Sequence, residues 1–303
     1  MKNVIKYYYN IEVTSMHQNN DQYEIFNKNK RYILIKYKKT INELKEKYSL
    51  QIYLQSANIP CHIIVKNIMG EIITVINNEN YVMVWMTILN RIITFEDIKQ
   101  LTNMNLIGEY RYIKKSTWQK LWKIKMDYFE YEMTQLNKKY PLINESINYY
   151  IGIVEICISM LENLHINSLN KNITHERITN NMHTDYFYNP LHLIIDNRTR
   201  DAGEFLKTEM YNTNYNIAQV KEYITNNSLT EEEIILLLVR LIYPSTYFDL
   251  CEKIIDDKIK EKELLNLINS SQSIEMNLKK IYRAIKDITK IPEIEWLEKT
   301  NLH

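Results

Sequence analysis

The sequence of 303 residues contains only four glycines, at positions 70, 108, 152 and 203, and no two of them lie close together. Loops that cradle phosphate groups need clustered glycines, because their backbone N–H groups must approach the phosphate closely. A dinucleotide-binding fingerprint, a Walker loop and the glycine-rich loop of protein kinases are therefore absent. The G-x-S-x-G turn that presents a nucleophilic serine is absent as well.

Cysteine and net charge are also low. The three cysteines, Cys61, Cys157 and Cys251, are scattered through apolar stretches, which predicts reduced thiols and no disulfide framework. Lysine and arginine together number 38 and aspartate and glutamate 37, so the formal net charge is +1. Such a balance argues against general binding to nucleic acid or to anionic lipid. Hydrophobic residues make up 45% of the chain, enough to build a sizeable core.

Long apolar runs are missing too. The longest, residues 81–86 and 234–239, are far shorter than a membrane span. The first residues, Met1–Tyr7, lack the apolar centre of a signal peptide. We therefore expect a protein that has no membrane span and is made and kept inside a cell. We also expect that it does not bind nucleic acid.

The first 86 residues predict a small antiparallel sheet with one helix. Residues 23–26 and 31–37 flank the polar turn Asn27–Lys30 and predict a hairpin. Three further strands are expected at residues 61–68, 71–76 and 81–86.

A helix over residues 40–56 is predicted between these two groups of strands. Thr40 and Glu43 have the spacing of a capping box, in which each side chain accepts a hydrogen bond from the other residue's backbone. The apolar stripe of this helix is expected to follow Leu44, Tyr48 and Ile52.

Residues 87–303 are predicted to be mainly helical. Further capping boxes predict helix starts at Ser116–Gln119 and at Thr230–Glu233. Residues 174–190 have no clear periodicity, and a short apolar strand at 191–195 follows them and ends at Asp196. Because long irregular loops in compact domains are often functional, we expect the chemistry of the protein in this loop.

Several separated segments carry a family resemblance. The loop opens with His175-Glu-Arg177, and Asp196 follows it at the end of the strand. Four other segments contribute, at residues 149–155, 188–191, 196–205 and 240–249. Together they resemble the aminoglycoside phosphotransferase and choline kinase superfamily, and within it the YutH-like spore coat proteins of endospore-forming bacteria.

The resemblance covers nearly the whole chain and implies a two-lobed, protein-kinase-like α+β fold. Its N-lobe, residues 1–86, would hold the antiparallel sheet and the helix. Its C-lobe, residues 87–303, would be mainly helical and carry a degenerate catalytic loop at residues 174–190.

The chain departs from the pattern of its active relatives at the positions that matter for phosphotransfer. Arg177 stands where the resemblance places the catalytic aspartate, and a guanidinium cannot accept a proton from a substrate hydroxyl. Met182 stands five residues later, where a second metal ligand is expected, and a thioether is a poor ligand for Mg²⁺. The glycine-rich loop is reduced to Asn27–Lys30. No catalytic residue is therefore expected.

The remaining pocket residues are assigned by the same resemblance. Lys36 is the candidate for the phosphate-binding lysine, with Glu46 or Glu43 as its partner. Asp196, 19 residues after Arg177, has the spacing of the metal-binding aspartate and would bind metal only in an active kinase.

Structural roles are expected for several of these residues. His175 would brace the loop through a hydrogen bond to the backbone. Arg177, Asp196 and Asp201 would form a buried salt-bridge cluster, and Asp201 would cap the helix that begins there.

We therefore expect a catalytically degenerate protein that binds no cofactor or metal and serves as a structural component of the spore coat. The resemblance implies other coat proteins as partners, with synthesis in the mother cell cytoplasm before deposition on the spore. Clusters among the 24 tyrosines, such as Tyr7–Tyr9, could support assembly.

Two alternatives stay open. An active, atypical small-molecule kinase would use ATP and Mg²⁺, with Glu176 or Asp185 supplying the missing carboxylate. A binding module would instead hold a non-nucleotide ligand and recognise its anionic group through Arg177.

Overall fold

The computed structural model describes residues 1–104, 106, 108–115, 118–136, 138–162, 164–166, 169–211 and 216–298. The chain forms two compact units, Met1–Lys115 with Lys171–Asp196, and Ser116–Asn170 with Asn197–His303. Residues 87–115 and 171–196, which belong to the predicted C-lobe 87–303, group with residues 1–86 in the first unit.

The first unit is built on a sheet of six antiparallel strands. The strands are β1 (Ser15–Asn19), β2 (Gln22–Asn27), β3 (Lys30–Lys36), β4 (Ile63–Val65), β5 (Thr74–Ile76) and β6 (Glu79–Met86). Their order is β1-β2-β3-β6-β4, and β5 also pairs with β6. Strand β6 lies against β3 along one edge, and its other edge is shared by β4 and β5.

Four helices and a second strand pair complete the described part of this unit. The helices are α1 (Lys2–Tyr9), α2 (Ile41–Ser56), α3 (Phe95–Thr102) and α6 (Thr184–Phe187), and the strands are β7 (Lys171–His175) and β8 (Leu193–Asn197). The predicted hairpin and the predicted helix over 40–56 are confirmed. The sequence did not predict α1, β1 or β7, and the predicted strands at 61–68 and 71–76 are shorter than expected.

The two faces of the sheet are covered by different segments. On one face, Tyr32 and Leu34 of β3 pack with Ile5 and Tyr9 of α1. On the other face, one cluster joins side chains of the sheet to α2 and to the segment 171–196; its buried members include Val82, Val84, Leu44 and Leu191. Successive residues of a strand point to opposite faces, so the sheet presents one defined face to the segment 171–196.

The buried side of α2 differs from the predicted stripe. The buried residues are Leu44, Lys47, Leu50, Gln51 and Leu54, whereas Ile52 is exposed. Two polar side chains can lie on this buried face because their hydrogen-bonding groups have partners. Gln51 Oε1 accepts a hydrogen bond from the backbone N–H of Ile64 at 2.7 Å.

The second unit is helical in its described part. Its helices are α4 (Trp118–Leu136), α5 (Pro141–Glu162), α7 (Arg200–Glu209), α8 (Ile217–Asn226), α9 (Glu231–Ile242), α10 (Ser245–Ile255), α11 (Leu264–Lys286) and α12 (Glu295–Glu298). The capping box at Thr230 is confirmed. The one predicted at Ser116 begins outside the described residues.

Helix α9 lies in the core, with Glu233–Ile242 buried throughout. In the part of the chain that the structure describes, one helical stretch, Glu231–Ile255, is long and apolar enough to cross a membrane. It passes this test by length and composition alone, and 78% of its most apolar window is buried inside the protein. Packing in the core therefore accounts for the apolar composition of this stretch.

Candidate functional site

The predicted catalytic loop is more regular than its sequence suggested. Residues 174 and 175 end β7, and residues 184–187 form the short helix α6. A 3₁₀ turn, Pro190–His192, then leads into β8, so the strand predicted at 191–195 begins two residues later than expected. Strands β7 and β8 pair with each other and thereby fix both ends of the loop.

His175 braces this loop from inside, as predicted. Its ring is fully buried and stacks on Phe187 with 4.3 Å between ring centroids. Its Nε2 lies 2.7 Å from the carbonyl oxygen of Phe187. Because a carbonyl oxygen only accepts, Nε2 carries the proton and donates it. His175 therefore holds α6 in place and is not available as a base at that nitrogen.

The structure places Arg177, Asp196 and Asp201 in different environments. Arg177 is exposed, whereas Asp196 on β8 and Asp201 on α7 are buried. Arg177 follows β7 at the surface and is therefore not a buried member of the predicted salt-bridge cluster. Asp201 is not the N-cap of α7 either, since the helix begins at Arg200 and its N-cap is Thr199.

Lys36 does not face α2. It is the last residue of β3, and the alternation along that strand puts it on the face that carries Tyr32 and Leu34. Its Nζ lies 2.8 Å from a carboxylate oxygen of Glu79, and this contact raises the pKa of Lys36. The predicted pairing of Lys36 with Glu46 or Glu43 is therefore wrong.

Glu46 instead anchors a loop of its own unit. Its two carboxylate oxygens accept hydrogen bonds from the backbone N–H groups of Arg111, Tyr112 and Ile113, at 2.8 to 3.0 Å. Three converging backbone donors satisfy this carboxylate without any cation. A structural role thus accounts for Glu46.

A buried lysine of α2, which the sequence did not single out, contacts the predicted catalytic loop and the residue that follows it. Lys47 is fully buried, and its Nζ donates to the carbonyl oxygen of Leu191. The same Nζ lies 3.1 Å from Glu43 and 3.4 Å from Glu176. Lys39 also contacts both carboxylates, Glu43 at 3.2 Å and Glu176 more closely. We call Lys39, Glu43, Lys47 and Glu176 the four-charge cluster.

Burial and charge act in opposite directions on the pKa values in this cluster. Burial lowers the pKa of Lys47, and the charges of Glu176 and Glu43 offset part of that effect. Burial alone would raise the pKa of Glu176, but the nearby Lys39 and Lys47 outweigh it and the pKa is lowered. Tyr37 lies beside the cluster, and burial together with Glu43 and Glu176 raises its pKa.

A cavity of about 280 Å³ lies between the sheet and α6. It is lined by His17, Asn19, Gln22, Glu24, Arg31, Ile33, Ile35, Asp185, Tyr186, Asn189 and His192. Across it Arg31 contacts Asp185 on α6 and, at 3.2 Å, Glu24 on β2. Of the six predicted pocket residues, all of them in the described part of the chain, none lines this cavity.

His192 closes one side of this cavity as a neutral ring. It stacks on Tyr186, with 3.7 Å between ring centroids. Burial and the nearby charge of Lys47 lower the pKa of His192 to about 3. The ring is therefore uncharged at neutral pH.

The two turns that join β1, β2 and β3 carry no glycine. The turn between β1 and β2 consists of Asn20 and Asp21, and that between β2 and β3 of Lys28 and Asn29, with Asn20 and Lys28 at positive φ. Positive φ is the conformation that glycine favours, yet lysine and asparagine occupy it here. Asn27–Lys30, the predicted equivalent of a glycine-rich loop, is thus the second hairpin of the sheet and not the first.

Among the described residues, no group of three or more histidine, cysteine, aspartate or glutamate side chains is placed to hold a metal ion. Lys171 lies near Asp196. The charge of Asp196 acts on Lys171, whose pKa is lowered by burial and by the neighbouring Lys114.

The folds of several phosphotransferases are similar to this one. An aminoglycoside phosphotransferase from Alicyclobacillus acidocaldarius aligns with a TM-score of 0.67 and 9% identity, covering 92% of this chain and 94% of that chain. An AMP-bound spectinomycin phosphotransferase aligns with a TM-score of 0.59 and 10% identity, covering 90% of this chain and 96% of that chain. An amicoumacin kinase in complex with AMP-PNP aligns with a TM-score of 0.54 and 12% identity, covering 97% of this chain and 94% of that chain.

These likenesses confirm the predicted kinase-like α+β fold. Sequence comparison with curated proteins finds no match. A family model described as "Spore coat putative kinase YutH" matches residues 2–281, and the chain therefore belongs to this YutH family of spore coat proteins.

Proposed function

We propose that this protein is a catalytically degenerate member of the kinase-like superfamily and acts as a structural component of the bacterial spore coat. Membership of a spore coat family supports the location. In this proposal the protein is made in the mother cell cytoplasm and reaches the coat through contacts with other coat proteins.

The residues at the predicted nucleotide site do not fit Mg²⁺ and ATP. Arg177 offers a guanidinium where a phosphotransferase needs a carboxylate. Met182 offers a thioether where a hard cation needs oxygen. The cavity face of β3 carries Arg31, Ile33 and Ile35, so this strand presents no lysine to the cavity, and its arginine is paired with Glu24 and Asp185.

The observation that carries the proposal is the pairing of both substitute carboxylates. An atypical kinase would need Glu176 or Asp185 as a general base, and a general base works best with a pKa near the operating pH. Glu176 contacts two lysines of the four-charge cluster, which lower its pKa. Asp185 is paired with Arg31. Each carboxylate is thus engaged by a cation, and Glu176 is a weaker base than an isolated carboxylate.

The test is thermal unfolding of the purified protein with and without Mg·ATP. A ligand at a hundred times its Kd would stabilise the folded state by about 2.7 kcal/mol. We expect no shift in Tm. The Arg177→Asp variant should also show no shift, because restoring one carboxylate restores neither a lysine on the cavity face of β3 nor the second metal ligand.

A rise in Tm of several degrees that disappears in Asp196→Ala would contradict the loss of nucleotide binding. An aminoglycoside phosphotransferase measured alongside serves as the positive control for the assay. A fluorescent fusion that stays in the mother cell cytoplasm of a sporulating bacterium would contradict the coat location independently of the nucleotide result.

A further inference from the structure

Helix α4 carries apolar side chains on two separate faces. Its inner face includes Trp118, Trp122 and Phe129, all buried. On its outer face Leu121, Ile124, Tyr128 and Tyr131 are 57%, 54%, 41% and 64% exposed. These four residues follow one another at spacings of three, four and three, which places them in a single stripe along the helix. We call them the outer stripe.

The spacing of the outer stripe is that of a helix-pairing seam. Apolar residues alternating at three and four positions are the a and d positions of a coiled coil, where two helices pack side by side. Exposed apolar side chains that stand singly need no explanation, but a contiguous apolar patch on a soluble protein marks an interaction surface.

The charges beside the outer stripe are divided between the two halves of α4. Lys120, Lys123 and Lys125 lie in the first half, and Asp127, Glu130 and Glu132 lie in the second. Some already have partners in the same chain: Lys123 pairs with Glu162 at 2.9 Å, and Lys125 lies 3.1 Å from Glu252. The helix nevertheless presents a basic half and an acidic half to solvent.

We propose that the outer stripe of α4 packs against the same stripe of a second copy of this chain, with the two helices antiparallel. The antiparallel arrangement places the basic half of each helix beside the acidic half of the other. It also brings Leu121 of one copy to Tyr131 of the other, and Ile124 to Tyr128. A parallel pair would instead place like charges together, which is unfavourable.

The pattern specifies a second copy because it is complementary to itself. A twofold interface uses the same surface on both subunits, so each contact must be matched by its reverse. Helix α4 meets that condition because its basic half is complementary in charge to its acidic half. A partner helix that was wholly acidic or wholly basic would instead place like charges against one half of α4. The proposal does not depend on whether the protein has lost catalysis.

Sedimentation equilibrium over a range of protein concentrations tests the pairing. The wild-type chain should self-associate to a dimer, and Ile124→Asp should be monomeric, because the substitution buries a charge in the seam. The outward position of Ile124 lets the variant fold, which circular dichroism verifies. The control Lys262→Glu/Lys280→Glu, at two exposed positions outside α4, should dimerise like the wild type.

A charge exchange tests the antiparallel direction. Glu130→Lys/Glu132→Lys makes both halves basic, and Lys120→Glu/Lys123→Glu makes both largely acidic. Each variant alone should dimerise at least about tenfold more weakly, equivalent to about 1.4 kcal/mol. Mixing the two should restore a dimer containing one copy of each.

Three results would overturn the proposal. A wild-type chain that stays monomeric at every concentration shows that the outer stripe does not pair with itself. A dimer unaffected by Ile124→Asp places the interface elsewhere. Charge variants that fail to associate when mixed contradict the antiparallel direction.

Discussion

Lys47 shows how a charged side chain can be accommodated in the core of the first unit. A buried ammonium is costly unless it is paired and hydrogen-bonded. Here the carbonyl oxygen of Leu191 and the carboxylates of Glu43 and Glu176 surround it. The four-charge cluster contains two cations and two anions, so its formal charge is zero. The predicted catalytic loop and α2 are thereby joined through a polar contact inside an otherwise apolar layer.

Removing the charge of Lys47 should therefore destabilise the protein more than removing that of Lys39. Lys47→Met keeps the volume but leaves the carboxylates without their buried cation, and such a loss costs about 3–5 kcal/mol. Lys39 is 41% exposed, so Lys39→Met should cost no more than about 1 kcal/mol. Urea denaturation of both variants measures the difference. Equal losses would show that the buried contacts of Lys47 contribute no more than a surface ion pair.

The sequence predicted the position of His175 and its bracing role but assigned the pocket lysine to the wrong residue. Lys36 is the last residue of an apolar strand, and the alternation of that strand turns it away from α2. Lys47 lies three residues after Leu44, on the buried stripe of α2. A lysine that interrupts an apolar stripe can be recognised in the sequence, and this signal could have identified Lys47. Its partner Glu176 is 129 residues away in the chain, and only the folded structure brings the two together.

At the scale of elements, the sequence predicted the apolar strands of the six-stranded sheet and missed the polar strand β1. Strand β1 pairs with β2 along its whole length, but its residues Ser15–Asn19 are almost all exposed. Apolar alternation is the main signal of a strand, so an edge strand of polar residues cannot be found that way. Because the sequence did not predict β1, Asn27–Lys30 became the first predicted hairpin turn, whereas the first hairpin turn in the structure is Asn20-Asp21.

Helix α9 offers the clearest case in which a local pattern fixed an element. The hydroxyl oxygen of Thr230 accepts a hydrogen bond from the backbone N–H of Glu233 at 3.3 Å. In return, the Glu233 carboxylate accepts one from the backbone N–H of Thr230 at 3.0 Å. The same carboxylate pairs with Arg198, at 2.6 Å and 2.8 Å. The start of the central core helix is thus tied to the segment that precedes α7.

Loss of this cap should weaken the second unit. Thr230→Ala removes the acceptor for the Glu233 N–H and should lower the free energy of unfolding by about 1 kcal/mol. Thr230→Ser keeps the hydroxyl and should retain most of the stability. Thr225→Ala, at an exposed position within α8, is the matched control and should change little. A control variant as destabilised as Thr230→Ala would contradict a specific capping effect.

For the whole molecule, the fold is similar to that of solved structures although the sequence identity with them is low. Identities of 9–12% accompany alignments over 90% or more of the chain, because a core tolerates many apolar substitutions that preserve volume and pattern. The spaced segments of the family resemblance therefore predicted the fold correctly. They could not predict the division into units, since the placement of residues 171–196 with the sheet depends on contacts distant in sequence.

The three buried cysteines provide a way to follow both units. Cys61 belongs to the first unit, and Cys157 and Cys251 belong to the second. Burial raises the pKa of the Cys61 and Cys251 thiols to about 12 each and raises that of Cys157 as well. The thiolate is the reactive form, so a rise of about three units in pKa reduces it about a thousandfold at a given pH.

A thiol-specific reagent should therefore modify the folded protein extremely slowly at pH 8 and all three cysteines rapidly in concentrated urea. Single-cysteine variants, with the other two changed to alanine or serine, separate the contributions of the two units along a urea series. Reagent uptake by Cys61 should begin only when the first unit opens, since this residue is only 7% exposed. Fast labelling of any of the three cysteines without denaturant would contradict the burial on which this expectation rests, whereas protection of all three confirms closed cores in both units.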